Sequence, residues 1–528
     1  MKLTNLKNNV IEGYTLPKFD VEQMRAKTAK DCKWVHFGAG NIFRGFPAAR
    51  MQDLLEKGLS DTGIVVGEGF DFEIIDGIYH KYDNNTLLVT LKGNGNVEKR
   101  VISSVATSYK ATPTIKDDFE SLAKIFRNPA LQMASFTITE KGYGVVAPFI
   151  LEDIDKGPSI CETIIPTVTA LALERYKAGK YPFAFVSMDN CSHNGEKLKT
   201  AVLKVANLWR DKNFVTKDFV EYLSDPQYVT FPWSMIDKIT PRPDENIKKM
   251  LVDDGFEDND ILITKKHTYI APFVNSEESE YLVIEDTFPN GRPQLDKVGI
   301  YFTDRDTVNK VEKMKVCTCL NPLHTAMSVA GCLLGFTKIS DEMKDEDIVN
   351  YIKGIGYDEG LKVVVDPKIL SPKAFIDDVV NNRLVNPYMP DTPQRIVTDT
   401  SQKISIRFGE SVKAYMASDI LNEDDLKLIP FFMATYLRYL MAIDDEGKAF
   451  ELSPDPRLVE LVDYVKAIRL GSYSNQEVEK MIAPILKLED LWGFDLYNSK
   501  LKNKVVNNFK NMVSGKGSIR ESLHKILK

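Results

Sequence analysis

Four polar clusters break otherwise apolar stretches of this 528-residue chain. The first two are Thr137-Ile138-Thr139-Glu140-Lys141-Gly142-Tyr143 and Ser187-Met188-Asp189-Asn190-Cys191-Ser192-His193-Asn194-Gly195. The third is Lys315 followed by Cys317-Thr318-Cys319-Leu320-Asn321-Pro322-Leu323-His324, and the fourth runs from Arg395 to Lys403. A glycine-rich segment, Gly38-Ala39-Gly40-Asn41-Ile42-Phe43-Arg44-Gly45, follows Lys33-Trp34-Val35-His36-Phe37, which reads as a short buried strand. A strand, a glycine turn and a helix start can cradle a pyrophosphate. The glycines let the backbone approach, and the helix N-terminus offers free N–H groups and a positive dipole end. The match to G-x-G-x-x-G is partial: the third glycine would fall at Phe43, and the next glycine is Gly45. An ordinary turn is the plainer reading of Gly38 and Gly40. Pro47 lacks an N–H, so the helix should begin no more than about one turn before it and run on to Leu55. The next strand, Ile64-Val65-Val66, leads to Gly67-Glu68. A carboxylate there accepts bonds from an adenosine ribose and repels a 2′-phosphate, which favours NAD over NADP. A solvated loop acid is the alternative for Glu68, and Asp71 is a nearby competitor.

These clusters need elements to hold them. Before residue 300, strand-like runs alternate with helical patterns. The strands are Trp34-Phe37, Ile64-Val66, Leu87-Leu91, Met133-Thr139, Pro182-Ser187 and Ile261-Thr264; the helices are Ile115-Phe126, Ser159-Ala178 and Gly195-Asp211. Such alternation predicts a parallel sheet covered by helices, whose strand C-termini are where open α/β sheets place ligands. Gly93-Asn94-Gly95-Asn96 reads as a hairpin turn, and Tyr269 to Thr287 as a second β excursion. After about residue 304 the pattern is helical: Val308-Leu320, Asp341-Ile355, Lys373-Asn382, Glu423-Met441, Pro456-Arg469 and Asn475-Lys487. The expected organisation is an α/β half, 1–303, and a helical half, 304–528. At about 150 residues per domain the length allows two to four domains.

Composition narrows the class. With 43% apolar and 27% charged residues the chain is neither disordered nor fibrous. A net charge of −7, from 68 basic and 75 acidic residues, gives no overall basic field for nucleic acid or a membrane surface. It leaves room for a local anion pocket. Met1 to Lys7 lacks the apolar region of a secretory signal, and the apolar stretch Thr325 to Phe336 is too short to span a bilayer. Six scattered cysteines without a CxxC pattern suggest reduced thiols in a cytoplasm. Nothing in the sequence sets an oligomeric state.

In these clusters the chain resembles the polyol-specific long-chain dehydrogenases, the mannitol dehydrogenase family. The resemblance is carried by Gly38-x-Gly40-Asn41, Thr137-x-Thr139-Glu140-Lys141-Gly142-Tyr143 and Asp189-Asn190 with Asn194-Gly195. It continues in Phe231-Pro232-Trp233-Ser234-Met235-Ile236-Asp237-Lys238-Ile239-Thr240-Pro241, Asn321-x-x-His324, and Arg395 eight residues before Lys403. It implies an NAD-binding Rossmann-like N-terminal domain, a mostly α-helical C-terminal domain, and metal-independent hydride transfer. Carried over, Lys315 is the general acid/base, and Asn190 and Asn321 hold the reacting oxygen. His324 orients the substrate, Arg395 and Lys403 bind it, and Asp237 lies near the site. Gly38, Gly40, Asn41, Glu68, Thr139 and Lys141 face the cofactor. The substrate is then a small sugar acid or polyol, held between the two halves. The Asp71-Phe72-Glu73-Ile74-Ile75-Asp76 segment and the longer chain favour interconversion of D-fructuronate and D-mannonate over mannitol 2-dehydrogenase or tagaturonate reductase activity.

The chemistry suits these residue types. Reducing a ketone needs a hydride on carbon and a proton on oxygen. Two amide donors stabilise the developing alkoxide, a buried lysine gives the proton, and an arginine can fork onto a carboxylate. One departure stands out. The family's lysine lies five residues before the asparagine, whereas Lys315 lies six before Asn321. On an ideal helix the extra residue turns Lys315 by about 100° and sets it about 13 Å along the axis from His324. The expectation is therefore a bulge or break near Thr318–Pro322, favoured by Pro322, with Lys313 as the fallback base. Three other readings compete. Cys317, Cys319 and His324 are a thin zinc set; Tyr176-x-x-x-Lys180 matches a short-chain dehydrogenase dyad by chance; and a non-enzymatic NAD-binding sensor would keep the glycine loop alone.

Overall fold

The computed structural model describes residues 1–6 and 11–528; Lys7, the end of the N-terminal stretch considered above, lies outside the described residues. The chain forms two compact units. One comprises Met1–Lys92 and Asn96–Asn309, the other Gly93–Gly95 and Lys310–Lys528.

The first unit is built on a six-stranded sheet. Its strands in chain order are β1 (Trp34–Phe37), β2 (Ile64–Glu68), β3 (Val105–Lys110), β4 (Met133–Phe136), β5 (Phe183–Ser187) and β6 (Val229–Thr230). Across the sheet they run 3-2-1-4-5-6, and every pairing is parallel. This is the order of a doubly wound dinucleotide-binding sheet, with its switch point between β1 and β4. The strands are short apolar runs because helices cover both faces; every residue of β1, β2, β4 and β5 is buried. Phe37 of β1 stacks on Phe136 of β4 with ring centres 5.4 Å apart. Helices Lys116–Arg127, Ile164–Gly179 and Asn194–Asp211 occupy the connections.

Several boundaries differ from the sequence expectation. β4 ends at Phe136, so Thr137–Thr139 form a loop. The helix expected from Ser159 begins at Ile164, and the strand expected at Ile261–Thr264 shrinks to Leu262–Ile263. The helix after the glycine loop is broken: Asn41–Gly45 stops at Phe46, and a new helix starts with Pro47 at its first position. The proline that limits the first helix also starts the second. Thr86–Leu91 and Val97–Ile102 pair antiparallel around Gly93–Asn96, as a hairpin. Phe273–Glu277 joins that small sheet, and Ser234–Asp237 pairs with Tyr281–Glu285 in another.

The second unit is almost entirely helical. Its centre is Leu428–Tyr439, buried at every position and packed on Asn321–Leu333 and Lys502–Met512. The continuous helical run Arg305–Leu333 is long and apolar enough to cross a membrane by length and composition alone, but 78% of its apolar window is buried inside the protein, as in a core helix. The helices expected at Val308–Leu320, Asp341–Ile355 and Lys373–Asn382 all give way to π turns, at Lys315–Cys319, Gly354–Gly360 and Val379–Arg383. A π turn takes one residue more than an α turn, a slip that a 3.6-residue periodicity does not reveal.

Glu342 is fully buried in this unit, and neither carboxylate oxygen has a hydrogen-bond partner. It lies over Gly331, where a β-carbon would land on its Oε1. Burial, with Asp345 nearby, raises its pKa well above the ordinary glutamate value. A carboxyl that keeps its proton in the folded state but loses it in the unfolded state costs stability as pH rises above about 4.3. Glu342→Gln is therefore expected to stabilise the protein at pH 8 by on the order of 1–3 kcal/mol, with a smaller gain at pH 5. Thermal melts at both pH values check this; an equal gain at each would show an ordinary carboxyl.

Candidate active site

At the C-terminal end of β1 the chain turns sharply. Gly38 has φ +107°, and a β-carbon there would sit 2.5 Å from the Thr137 carbonyl oxygen. No other residue fits without moving backbone. The loop is pinned from both sides: Gly38 N–H donates to Gly67 O of β2 at 3.1 Å, and Thr137 Oγ1 donates to Gly38 O at 3.1 Å. Below it His36 lies fully buried between Ser135 Oγ, 2.7 Å from Nδ1, and Thr137 Oγ1, 2.9 Å from Nε2. Burial lowers its pKa to about 3, so the ring stays neutral and ties β1 to the loop after β4.

Glu68 is not a solvated loop acid. It is buried, and its carboxylate accepts N–H bonds from Ala39 at 2.7 Å, Phe70 at 2.7 Å and Asp71 at 3.1 Å. It shapes the glycine loop from beneath, and burial raises its pKa. Oε1 takes two of these bonds and Oε2 one, which leaves Oε2 one acceptor direction for a ribose hydroxyl. Asp71 is buried and accepts from Thr264 Oγ1 at 2.6 Å. At Gly40 a β-carbon would meet nothing within 4 Å, and no side chain caps the helix that starts at Asn41. Open space beside uncapped N–H groups, with one acceptor on Glu68, suits the pyrophosphate and adenosine ribose of NAD.

The loops after β4 and β5 complete this edge. Thr139 and Lys141 are exposed at the 3₁₀ turn Glu140–Tyr143, which follows β4. Asn190 is exposed just past β5. Its neighbour Asp189 is buried, bonded to the Tyr143 hydroxyl, and accepts from Cys191 N–H at 3.1 Å. Asn194 fastens this loop to the next segment: Ser234 N–H donates to its Oδ1 at 3.0 Å, and its Nδ2 donates to Asp189 O at 3.1 Å. Gly195 has to be glycine, because a β-carbon there would lie 2.7 Å from the carbonyls of Phe231 and Pro232. The Asp189–Gly195 and Phe231–Asp237 motifs thus interlock. Asp237 ends its strand, buried.

In the second unit the expected helix break is present at its predicted place, with Leu320 inside the Thr318–Pro322 window. An α-helix over Arg305–Met314 passes into the π turn Lys315–Cys319, closed by Leu320 N–H to Lys315 O at 3.1 Å. Leu320 leaves helical geometry at φ −125°, and a new helix starts at Asn321 with Pro322 inside its first turn. The i→i+5 closure absorbs one residue, the same one by which this chain's lysine–asparagine spacing exceeds the family's. Lys315 is 5% exposed, whereas Lys313 is exposed at the surface. Asn321 and His324 share the first turn of the new helix.

His324 Nε2 is buried without a hydrogen-bond partner. Burial, then Arg407, Arg383 and Arg395 in that order, lower its pKa to about 3. Arg395 pairs with Asp391 and keeps 62% of its side chain exposed. Lys403 Nζ donates to Thr398 O at 2.5 Å; burial and the charge of Arg407 lower its pKa. The structure therefore gathers His324, Arg395 and Lys403 with two arginines the sequence reading missed, Arg383 and Arg407. The signal for Arg407 was its place one helical turn after Lys403. Among the described residues no group of three His, Cys, Asp or Glu side chains is arranged to hold a metal ion, and all six cysteines are free.

The comparisons agree with this architecture. The family model of the mannitol dehydrogenase Rossmann domain matches residues 32–297, and that of the mannitol dehydrogenase C-terminal domain matches 307–513. The chain is 49% identical to a D-mannonate oxidoreductase of Thermotoga maritima over 98% of its own length and 96% of the relative's. It is 27% identical to a polyol:NADP oxidoreductase of Gluconobacter oxydans over 83% of this chain and 87% of that one. Among solved structures, a substrate-free D-sorbitol dehydrogenase superposes with a TM-score of 0.78 at 24% identity, covering 98% of this chain and 99% of the other. A Pseudomonas fluorescens mannitol 2-dehydrogenase, in ternary complex with NAD and D-mannitol, gives 0.69 at 24% identity over 100% of this chain and 99% of the other. Matched along both of its halves, and by a relative of nearly full length, the chain belongs to the mannitol dehydrogenase family.

Proposed function

We propose that this protein is an NAD-dependent oxidoreductase that interconverts D-fructuronate and D-mannonate. The observation that carries the chemistry is the π turn at Lys315–Cys319. It buries Lys315 and takes up the extra residue before Asn321. The near-full-length likeness to a D-mannonate oxidoreductase supports the substrate.

Bound NADH supplies a hydride to the ketone carbon. The loop Gly38–Asn41 and Glu68 hold the adenosine end, with Thr139 and Lys141 at the neighbouring loop. The amides of Asn190 and Asn321 donate to the ketone oxygen and stabilise its growing negative charge. The Lys315 ammonium passes one proton to that oxygen and is left neutral; in the oxidative direction the neutral amine takes the proton back. His324, neutral, orients the substrate, with Arg395, Lys403 and Asp237 as further contacts. The balance is fructuronate, NADH and a proton to mannonate and NAD. The carboxylate of Glu68 beside the loop favours a free ribose hydroxyl over a 2′-phosphate, hence NAD. A cytoplasmic location, with neither nucleic acid nor membrane as partner, completes the reading.

A panel of fructuronate, tagaturonate, fructose and xylulose with NADH tests it. The expected result is a kcat/KM for fructuronate above all the others. Fructose or xylulose leading the panel would overturn the substrate, and NADH binding without turnover would leave a sensor.

A further inference from the structure

We infer that Arg407, with His324 beside it, is the determinant that reads the substrate's carboxylate and separates sugar acids from uncharged polyols. This rests on the oxidoreductase reading above and deepens it.

The grounds are a contrast with two fully buried arginines. Arg175 donates to the carbonyls of Phe126, Asn128, Leu131, Tyr181 and Pro182, which satisfies its whole fork. Arg438 donates to the carbonyls of Met512, Ile443 and Asp444. These are structural staples. Arg407 is different. It sits in the π turn Ser405–Gly409, and its guanidinium makes one hydrogen bond, to Thr325 Oγ1. Among the described residues no carboxylate lies within ion-pair distance of it. Arg407 is half-buried; desolvation pulls its pKa down to about 10, a cost that no acid offsets.

Thr325 directly follows His324, whose Nε2 is also buried and unpartnered. The residue that holds Arg407 and the unpartnered His324 Nε2 are thus neighbours at the start of the helix Asn321–Leu333. The charges that act on His324 are all positive, Arg407, Arg383 and Arg395, and Arg407 also acts on Lys403. Arg395, the fork expected from sequence, already faces Asp391, and the acids that act on Lys403 are Asp399 and Asp455. Asp455 accepts from Ser401 N–H and Oγ. A planar carboxylate would fill two donors of the Arg407 fork at once; a hydroxymethyl group would leave the charge unpaired.

The test compares kcat/KM for fructuronate and for fructose, which ends in a hydroxymethyl group, in wild type, Arg407→Gln and Arg407→Lys. Wild type should favour fructuronate. Arg407→Gln should shrink that ratio on the order of 10²-fold, mostly through KM for fructuronate. Arg407→Lys, which keeps the charge but loses the fork, should fall between. If Arg407→Gln melts early, Arg407→Lys decides alone, checked by its melting temperature and NADH affinity. A ratio unchanged in both variants, or both substrates falling equally, would overturn the Arg407 assignment while the oxidoreductase reading stands. A wild type that favours fructose would overturn the substrate reading, and the assignment with it.

Discussion

Lys315→Met is expected to lower kcat for fructuronate reduction by roughly 10²–10⁴-fold, the usual worth of a positioned general acid. The folded state should survive. Lys315 is 5% exposed, and methionine keeps most of its length at that buried position without the charge. NADH affinity should be unchanged, because the adenosine-binding residues proposed here all lie in the other unit. Lys313→Met is the matched control: that side chain is exposed two residues away and should leave turnover close to wild type. Steady-state kinetics of the pair decide between them. A Lys313→Met enzyme as impaired as Lys315→Met would point to damage to the helix.

Gly38→Ala should have the second large effect, this time on cofactor binding. At φ +107° an alanine is strained, and the non-glycine penalty for left-handed backbone is roughly 1–2 kcal/mol. The larger obstacle is contact. Its β-carbon would lie 2.5 Å from the Thr137 carbonyl oxygen, part of a backbone fixed by the β1–β4 ladder and by His36. Either Gly38 or the Thr137 loop must move, and both border the proposed pyrophosphate site. NADH titration by fluorescence should show affinity weakened by on the order of tenfold or more, with a lower melting temperature. Gly40→Ala is the contrast: with nothing within 4 Å of its β-carbon, the fold should hold, and any loss should be confined to the cofactor. Equal melting losses in the two variants would contradict this account of the loop.

How much of this was legible without coordinates follows the physics of each element. The strand Trp34–Phe37, the turn at Gly38 and the strand that leads to Glu68 are local signals, and they read correctly in kind. The strand order was not readable, because side-chain alternation carries no information on which strand neighbours which. The role of Glu68 within its own loop was missed because the three N–H groups it accepts come from two different turns. The break before Asn321 was legible from one misplaced residue and Pro322; the π turns at Gly354–Gly360 and Val379–Arg383 were not, because neither a proline nor a spacing mismatch marked them. Arg407 stayed hidden for a plainer reason. One arginine in a helical pattern looks like a solvated charge until burial and the missing acid partner are seen.

The most direct test of the central claim is a single-turnover mixing of NADH-loaded enzyme with D-fructuronate, following NADH absorbance and identifying the product. The account predicts one NADH lost per D-mannonate formed in the wild type, and a transient slowed roughly 10²–10⁴-fold in Lys315→Met with the same amplitude. A Lys315→Met transient as fast as the wild type's would contradict it.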